Sequence, residues 1–215
     1  MVAHHLTIFL MFLASFNMVT YVTCTMQRQE TPKWMRPALE RTPAWSLVSL
    51  LVDSGALQFG SFTLASGRTS SYYVDIKKAV TRPDTLRTIA EGMAPYAKQA
   101  DRIAGVELGA VPIAAAVSLT SGKPFVMVRK SSKEHGTRHE FEGDLNRGER
   151  VLFVEDVVTT GGTLRGAIER LRAHGAVIED CVCVVDREEG GKILLAEISV
   201  RLHALLSAKD LLQSA

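Results

Sequence analysis

The sequence is poor in cysteine, in aromatic residues and in net charge, and each scarcity excludes a class of protein. Three cysteines in 215 residues cannot form a disulfide framework, and no Cys/His spacing typical of a zinc site occurs. A formal net charge of +2 is too small to indicate nucleic acid as a partner. The 47% of hydrophobic and 22% of charged residues are typical of a globular domain, which we expect in the reducing cytoplasm.

Charge is also missing from the start of the chain. Residues 1–27 contain no Asp, Glu, Lys or Arg, and 15 of the 21 residues in Leu6–Met26 are apolar. A run of this length could cross a bilayer. Three interpretations stay open: an upstream-extended reading frame that truly starts at Met26 or Met35, a membrane anchor, or a cleaved targeting segment. We divide the chain into a hydrophobic extension, 1–37, and a domain, 38–215, and expect membrane contact only if the extension is real.

From Ala44 onward, apolar strand patterns alternate with helical ones. Such alternation predicts an α/β fold with a parallel sheet. The predicted strands are Phe59–Leu64, Tyr72–Ile76, Arg102–Val106, Phe125–Val128, Val151–Val154, Val177–Val185 and Val200–Leu206. The predicted helices are Ala44–Asp53, Pro83 to Lys98, Pro112 to the residue before Gly122, Thr163–His174, and a short one after Ser207.

The most informative segment follows the predicted strand Val151–Val154. Glu155 and Asp156 come directly after this strand, and a Thr/Gly-rich turn leads from them into a helix. Ligands bind at the carboxyl ends of strands in open α/β sheets, and backbone N–H groups at a helix N-terminus bind phosphate. Two carboxylates suit the vicinal hydroxyls of a sugar. Because the lysine of a Walker A loop and the glycine pattern of dinucleotide folds are both missing, the segment predicts a site for a sugar phosphate.

A second segment is rich in cations. Arg129, Lys130, Lys133, His135 and Arg138 fall within ten residues after a predicted strand. A long polar loop of this kind is often a lid over a substrate. Charge alone leaves two interpretations open, a solvated basic loop or a loop that stabilises an anionic leaving group.

These segments carry a resemblance to a known family. Val151 to Thr163 resembles the motif of the type I phosphoribosyltransferases that binds 5-phosphoribosyl-1-pyrophosphate (PRPP), and Arg129 to Gly136 resembles the catalytic loop of the orotate phosphoribosyltransferases. Phe62–Asp75 and Val185–Gly190 resemble further blocks of that family, in the same order. The resemblance implies a type I phosphoribosyltransferase fold, with a central parallel sheet flanked by helices and a small hood subdomain. It also implies transfer of phosphoribosyl from PRPP to orotate in pyrimidine (UMP) biosynthesis, giving orotidine 5′-phosphate and pyrophosphate.

The resemblance implies roles for individual residues. Lys133 and Asp156 are the expected catalytic residues. The expected PRPP-binding residues are Arg129, Lys130, Lys133, His135, Glu155, Asp156, Val157, Val158, Thr159, Thr160, Gly161, Gly162 and Thr163. The expected orotate-binding residues are Thr159, Arg187 and Tyr73. The guanidinium of Arg187 could pair with the orotate carboxylate in a bidentate manner.

The resemblance also bears on cofactor and assembly. We expect magnesium (Mg²⁺) to bind through PRPP and water, without a dedicated protein ligand. A homodimer is implied, with Lys133 reaching the neighbouring site. Ala65 and Gly109 depart from the family, since many members carry Lys at these positions. Two alternatives stay open: a phosphoribosyltransferase for another base such as a purine, and a PRPP-sensing regulator without turnover.

Overall fold

The computed structural model describes residues 43–63, 69–130 and 140–213, with side chains from Leu47 onward. The predicted extension 1–37, its boundary with the domain, and Ala65, Lys133 and His135 lie outside these ranges. Within the described part of the chain, no helix has the length and apolar character needed to cross a membrane.

A six-stranded sheet forms the centre of the fold, in the order β5-β4-β3-β6-β7-β8. Its strands are β3 (Arg102–Val106), β4 (Phe125–Val128), β5 (Phe141–Glu142), β6 (Val151–Val158), β7 (Asp180–Asp186) and β8 (Arg201–Ser207). All neighbours pair in parallel except β4 and β5. The chain builds outward from β3 to β4 and β5, then returns to the other side of β3 with β6. The β3–β6 boundary is therefore the switch point of the sheet, where ligand sites form in such folds.

A separate antiparallel hairpin accompanies this sheet. It consists of β1 (Leu57–Thr63) and β2 (Thr69–Val74), with an irregularity in register between Phe59 and Phe62. The strand predicted at Tyr72–Ile76 is wrong at its end, because Ile76 begins a short helix, α2 (Ile76–Ala79), and is completely buried. The hairpin supplies the small second sheet of the predicted fold.

Helices cover both faces of the central sheet. The remaining helices are α1 (Pro43–Asp53), α3 (Pro83–Met93), a 3₁₀ helix (Ala94–Gln99), α4 (Ala110–Ser121), α5 (Gly162–Ala173), α6 (Gly191–Ala196) and α7 (Ala208–Leu212). The helix predicted from Pro83 to Lys98 changes geometry after Met93, because Pro95 has no N–H for an α-helical hydrogen bond. Sequence analysis did not predict α6.

Two apolar clusters lie on opposite faces of the sheet. Side chains alternate along a strand, so Leu152 and Val154 join the cluster under α1, α3 and α4, whereas Phe153 joins the cluster under α5 and α6. Cys181 and Cys183 lie in the second cluster as free, buried thiols. Burial raises the pKa of both thiols above its ordinary value, which makes them packing residues rather than nucleophiles.

Candidate active site

The two adjacent carboxylates lie inside β6 rather than after it. The strand continues to Val158 because β7 pairs with it as far as Asp186. Both side chains are partly buried and fold back onto the strand: the Asp156 N–H donates to Glu155 Oε1 at 2.9 Å, and the Val157 N–H donates to Asp156 Oδ1 at 2.7 Å. Burial, followed by the hydrogen bond and charge of Asp156, raises the pKa of Glu155 well above its ordinary value. The pair can therefore hold a proton and offer a ribose both a donor and an acceptor.

The turn after β6 presents backbone N–H groups at the start of α5. Gly161 has a φ of 80°, a conformation that favours glycine, and no side chain caps the start of α5. The first turn of α5 contains no acidic residue. The Gly191 N–H donates to the Thr159 carbonyl at 2.9 Å, which fixes the turn from the side of α6. The arrangement suits a phosphate group.

A second turn approaches the carboxylates from β3. It contains a cis peptide between Glu107 and Leu108 and leads through Gly109 into α4. A Cβ atom added at Gly109 would lie 2.0 Å from Asp156 Oδ2. With Asp156 in its observed position there is no room for a side chain at 109, such as the lysine that many family members carry.

Arg187 lies beside the phosphate-binding turn, one residue beyond β7. Its backbone N–H donates to the Val158 carbonyl at 2.9 Å, and its Nε donates to Glu189 Oε1 at 2.9 Å. The guanidinium lies 5.0 Å from the centre of the Tyr72 ring, and the side chain is only 10% exposed. This enclosed cation, fixed to the end of β6, could receive a ligand carboxylate.

Sequence analysis named Tyr73 as an orotate-binding residue, and the structure places its neighbour Tyr72 against Arg187. Neighbouring residues on a strand point to opposite faces, so only one of them can face Arg187. Tyr72 is 5% exposed and contacts Arg187, whereas Tyr73 is 42% exposed and packs beside Phe62, with ring centres 5.7 Å apart. The alternation of Ser, Tyr and Val along β2 does not indicate which tyrosine faces the site.

A further cation near the carboxylates also escaped prediction. Lys77 Nζ lies 3.3 Å from Asp75 Oδ1. Partial burial alone would lower the pKa of Lys77, but the pairing with Asp75 and the charge of Asp156 raise it above its ordinary value. Lys77 is therefore charged at neutral pH and adds positive potential next to Asp156.

The cationic segment begins where β4 ends. The Arg129 N–H donates to the Glu140 carbonyl at 2.9 Å, and the Arg129 guanidinium pairs with Glu142 Oε1 at 2.6 Å. Lys130 is exposed, and its N–H donates to Glu107 Oε1 at 2.9 Å. The structure thus brings Arg129 and Lys130 to the turn that contacts Asp156, while Lys133 and His135 lie outside the described ranges.

Comparison with known proteins agrees with this geometry. Residues 73–198 match the family model of the phosphoribosyl transferase domain, so fold and site define a phosphoribosyltransferase. The orotate phosphoribosyltransferase of Methanosarcina mazei is 50% identical over 169 residues, which cover 78% of this chain and 90% of the relative. The crystal structure of the Aeropyrum pernix orotate phosphoribosyltransferase superposes with a TM-score of 0.72 at 35% identity, covering 78% of this chain and 97% of that one. The chain belongs to the orotate phosphoribosyltransferase family, which confirms the predicted fold and family.

A third comparison concerns the substrate. The Mycobacterium tuberculosis H37Rv orotate phosphoribosyltransferase, solved in complex with PRPP, superposes with a TM-score of 0.66 at 28% identity. The similarity covers 79% of this chain and 99% of that chain.

Proposed function

We propose that the site described above transfers the 5-phosphoribosyl group of PRPP to orotate, giving orotidine 5′-phosphate and pyrophosphate for pyrimidine biosynthesis. The observation that carries the proposal is the position of Arg187. Its enclosed guanidinium is joined by a backbone hydrogen bond to the end of β6, beside the turn suited to a phosphate. Orotate carries a carboxylate and purine bases do not, and an enclosed guanidinium selects for that group.

PRPP extends across the switch point of the sheet. The turn from Val157 to Thr163 holds the 5′-phosphate through backbone N–H groups, and Glu155 and Asp156 receive the ribose hydroxyls. The pyrophosphate lies toward the end of β4, where Arg129 and Lys130 begin the cationic segment that continues with Lys133 and His135. Thr159, whose carbonyl is fixed by Gly191, lies between the phosphate and orotate.

The reaction needs orientation and charge stabilisation more than proton transfer. The anionic N1 of orotate attacks C1 of the ribose, the N1–C1 bond forms, and the electrons of the C1–O bond leave with pyrophosphate. Positive charge develops at C1 in an oxocarbenium-like transition state, close to Asp156. Negative charge grows on the leaving oxygen, where Lys133 stabilises the transition state more than the ground state. The site also holds N1 and C1 in line for attack and excludes water from them.

Magnesium fits this site as an ion that arrives with PRPP. Mg²⁺ takes six oxygen ligands and retains several waters. Within the described ranges, no group of three or more His, Cys, Asp or Glu side chains converges to hold a metal. Water and PRPP oxygens would hold the ion, and Glu155 and Asp156 would stand nearest to it through the ribose hydroxyls that they receive. When bound, Mg²⁺ neutralises charge on the pyrophosphate.

We also propose a cytoplasmic homodimer. The two described cysteines are free thiols, in keeping with a reducing compartment. In the dimer, the cationic segment of one subunit supplies Lys133 to the site of its partner.

The first test is turnover itself. We expect the full chain to consume orotate in the presence of PRPP and Mg²⁺. The loss of orotate absorbance measures this turnover. Lys133→Ala should lower kcat by about 10²-fold or more, because it removes a charge that contacts the transition state. If the folded protein binds PRPP but leaves orotate unchanged, the proposal is wrong and another base or a regulatory role is favoured.

The second test addresses recognition of the base. Arg187→Lys keeps the charge but loses the planar fork, so the KM for orotate should rise about tenfold or more while the KM for PRPP stays close to wild type. Arg201→Lys is the matched control, because Arg201 also donates twice to a carboxylate, that of Asp180, at the other end of the sheet. If the two substitutions raise the KM for orotate equally, Arg187 does not bind the orotate carboxylate.

A further inference from the structure

One peptide group at the start of the cationic segment is held on both sides by side chains. The carbonyl oxygen of Arg129 accepts a hydrogen bond from Arg170 Nη2 at 2.7 Å. The N–H of Lys130 donates to Glu107 Oε1 at 2.9 Å. These two groups belong to the same peptide unit, between Arg129 and Lys130. Because a peptide is planar, fixing its C=O and N–H fixes the plane from which both side chains project.

This peptide lies where the strand pairing stops. Met127 and Val128 pair with β5, and the Arg129 N–H donates to the Glu140 carbonyl. The next peptide is held by side chains instead of by a strand. It is also the peptide that joins the first two residues of the expected pyrophosphate-binding set.

One holding side chain comes from a turn of the PRPP site, and the other comes from the last turn of the helix that follows its phosphate-binding turn. Glu107 begins the β3–α4 turn that contacts Asp156 through Gly109. Arg170 lies on α5, the helix whose N-terminus forms the phosphate-binding turn. A carboxylate such as that of Glu107 would repel a pyrophosphate through its charge, so its position serves the hydrogen bond that it accepts from Lys130.

We propose that Arg170 and Glu107 are positioning residues, which clamp the Arg129–Lys130 peptide so that both cations meet the pyrophosphate of PRPP. The inference deepens the proposed function and rests on the roles of Arg129 and Lys130 given there. Neither Arg170 nor Glu107 needs to touch a substrate. The clamp links the phosphate-binding and pyrophosphate-binding parts of one subunit through α5.

Arg170→Met tests the clamp from the helix. It removes a hydrogen bond from a charged donor, so kcat/KM for PRPP should fall about tenfold. The KM for orotate should stay within about twofold of wild type, since Arg187 is untouched. Arg170→Lys should recover part of the loss, because its ammonium can still donate to the carbonyl.

Arg172→Met is the matched control. Arg172 lies on the same helix and also donates to backbone carbonyls, those of Ile198 and Ile178, away from the cationic segment. Its loss should lower Tm but leave kcat/KM for PRPP unchanged per folded protein. An equal loss of kcat/KM in both variants would show a general effect of helix stability and would overturn the proposal.

Glu107 provides an independent test at an exposed position that does not threaten folding. Glu107→Gln keeps a side-chain oxygen that can accept from Lys130, whereas Glu107→Ala removes it. We expect the Gln variant to stay near wild type and the Ala variant to lose kcat/KM for PRPP as Arg170→Met does. A Gln variant as impaired as the Ala variant would assign Glu107 an electrostatic role and overturn the clamp.

A double-mutant cycle separates the clamp from the function on which it rests. In a Lys130→Ala background, Arg170→Met should have a clearly smaller effect than in wild type, because one of the two positioned groups is gone. If the effects of the two substitutions on kcat/KM for PRPP are fully additive, and Lys130→Ala itself lowers kcat/KM for PRPP, the clamp alone is overturned. If Lys130→Ala leaves kcat/KM for PRPP intact, the assigned role of Lys130 fails and the clamp fails with it.

Discussion

At the scale of single residues, Glu155 illustrates a conflict between function and stability. Because burial and Asp156 raise its pKa in the folded chain above the ordinary 4.5, its ionisation opposes folding increasingly as the pH rises above that value. We expect Glu155→Gln to stabilise the free protein at pH 7.5, and the gain to vanish near pH 4.5. Thermal unfolding at both pH values measures this difference.

The same substitution should weaken PRPP binding, because it removes an acceptor for the ribose hydroxyls. Glu179→Gln is the control and should leave PRPP binding unchanged, since that carboxylate is exposed and pairs with Arg150, outside the proposed site. A Glu155→Gln protein that is less stable than wild type at pH 7.5 would contradict the electrostatic account.

The residues that could be predicted are those close together in sequence. Glu155, Asp156 and the following turn form one continuous motif, whereas Arg187 could be named only through the resemblance of Val185–Gly190 to a block of the family. Arg170 could not be found in this way, because it contacts Arg129 across 41 positions and neither residue's neighbours signal the contact. Tyr72 was missed because the packing of the hairpin, not its sequence, selects the tyrosine that faces Arg187.

At the scale of elements, the close contact between the β3–α4 turn and β6 makes a sharp prediction. Gly109→Ala places a Cβ where Asp156 Oδ2 now lies, so the carboxylate must rotate away or the turn must shift. We expect the KM for PRPP to rise about tenfold or more, as for loss of a hydrogen bond to a charged group. Steady-state kinetics at saturating orotate measure the change.

Gly166→Ala is the control for this substitution. Gly166 lies inside α5, where an added Cβ meets only Arg170 Nη1, at 3.7 Å. Alanine there should raise stability by up to about 1 kcal/mol and leave the KM for PRPP unchanged. If Gly109→Ala keeps the wild-type KM for PRPP, PRPP binding does not depend on the observed position of Asp156.

The boundaries of elements were predicted where local chemistry determines them. Pro112 and Gly122 delimit α4 closely, and α1 is predicted almost to the residue. The prediction ended β6 too early, because the acidic pair resembles a loop in isolation. Its strand geometry depends on β7, which continues beside it to Asp186.

At the scale of the whole molecule, the proposed dimer predicts complementation. Lys133→Ala and Arg187→Ala should each be nearly inactive. If Lys133 acts across the interface, mixed dimers contain one intact site, made of the wild-type Arg187 of one subunit and the wild-type Lys133 of the other. Unfolding and refolding the variants together should restore about a quarter of wild-type activity, since half of the dimers are mixed.

A mixture no more active than its components would place Lys133 and Arg187 in the same subunit or show a monomer. Refolded wild type is the reference, because it corrects for incomplete recovery. The order of the six strands is likewise a property of the whole molecule. Periodicity predicts strands but not their neighbours, so the topology could be expected only through the resemblance to a family.

The backbone hydrogen bonds between the β6–α5 turn and the β7–α6 segment have a consequence for how new specificities can arise. In the proposed function, sugar phosphate and base are recognised at the ends of separate but adjacent strands, which are joined by the hydrogen bonds of Arg187 to Val158 and of Gly191 to Thr159. An exchange of residues 187–190 could therefore change the base that the enzyme accepts and leave the phosphate-binding turn unchanged. Gly191 must survive any such exchange, because a Cβ there would lie 2.4 Å from Val158 Cγ1.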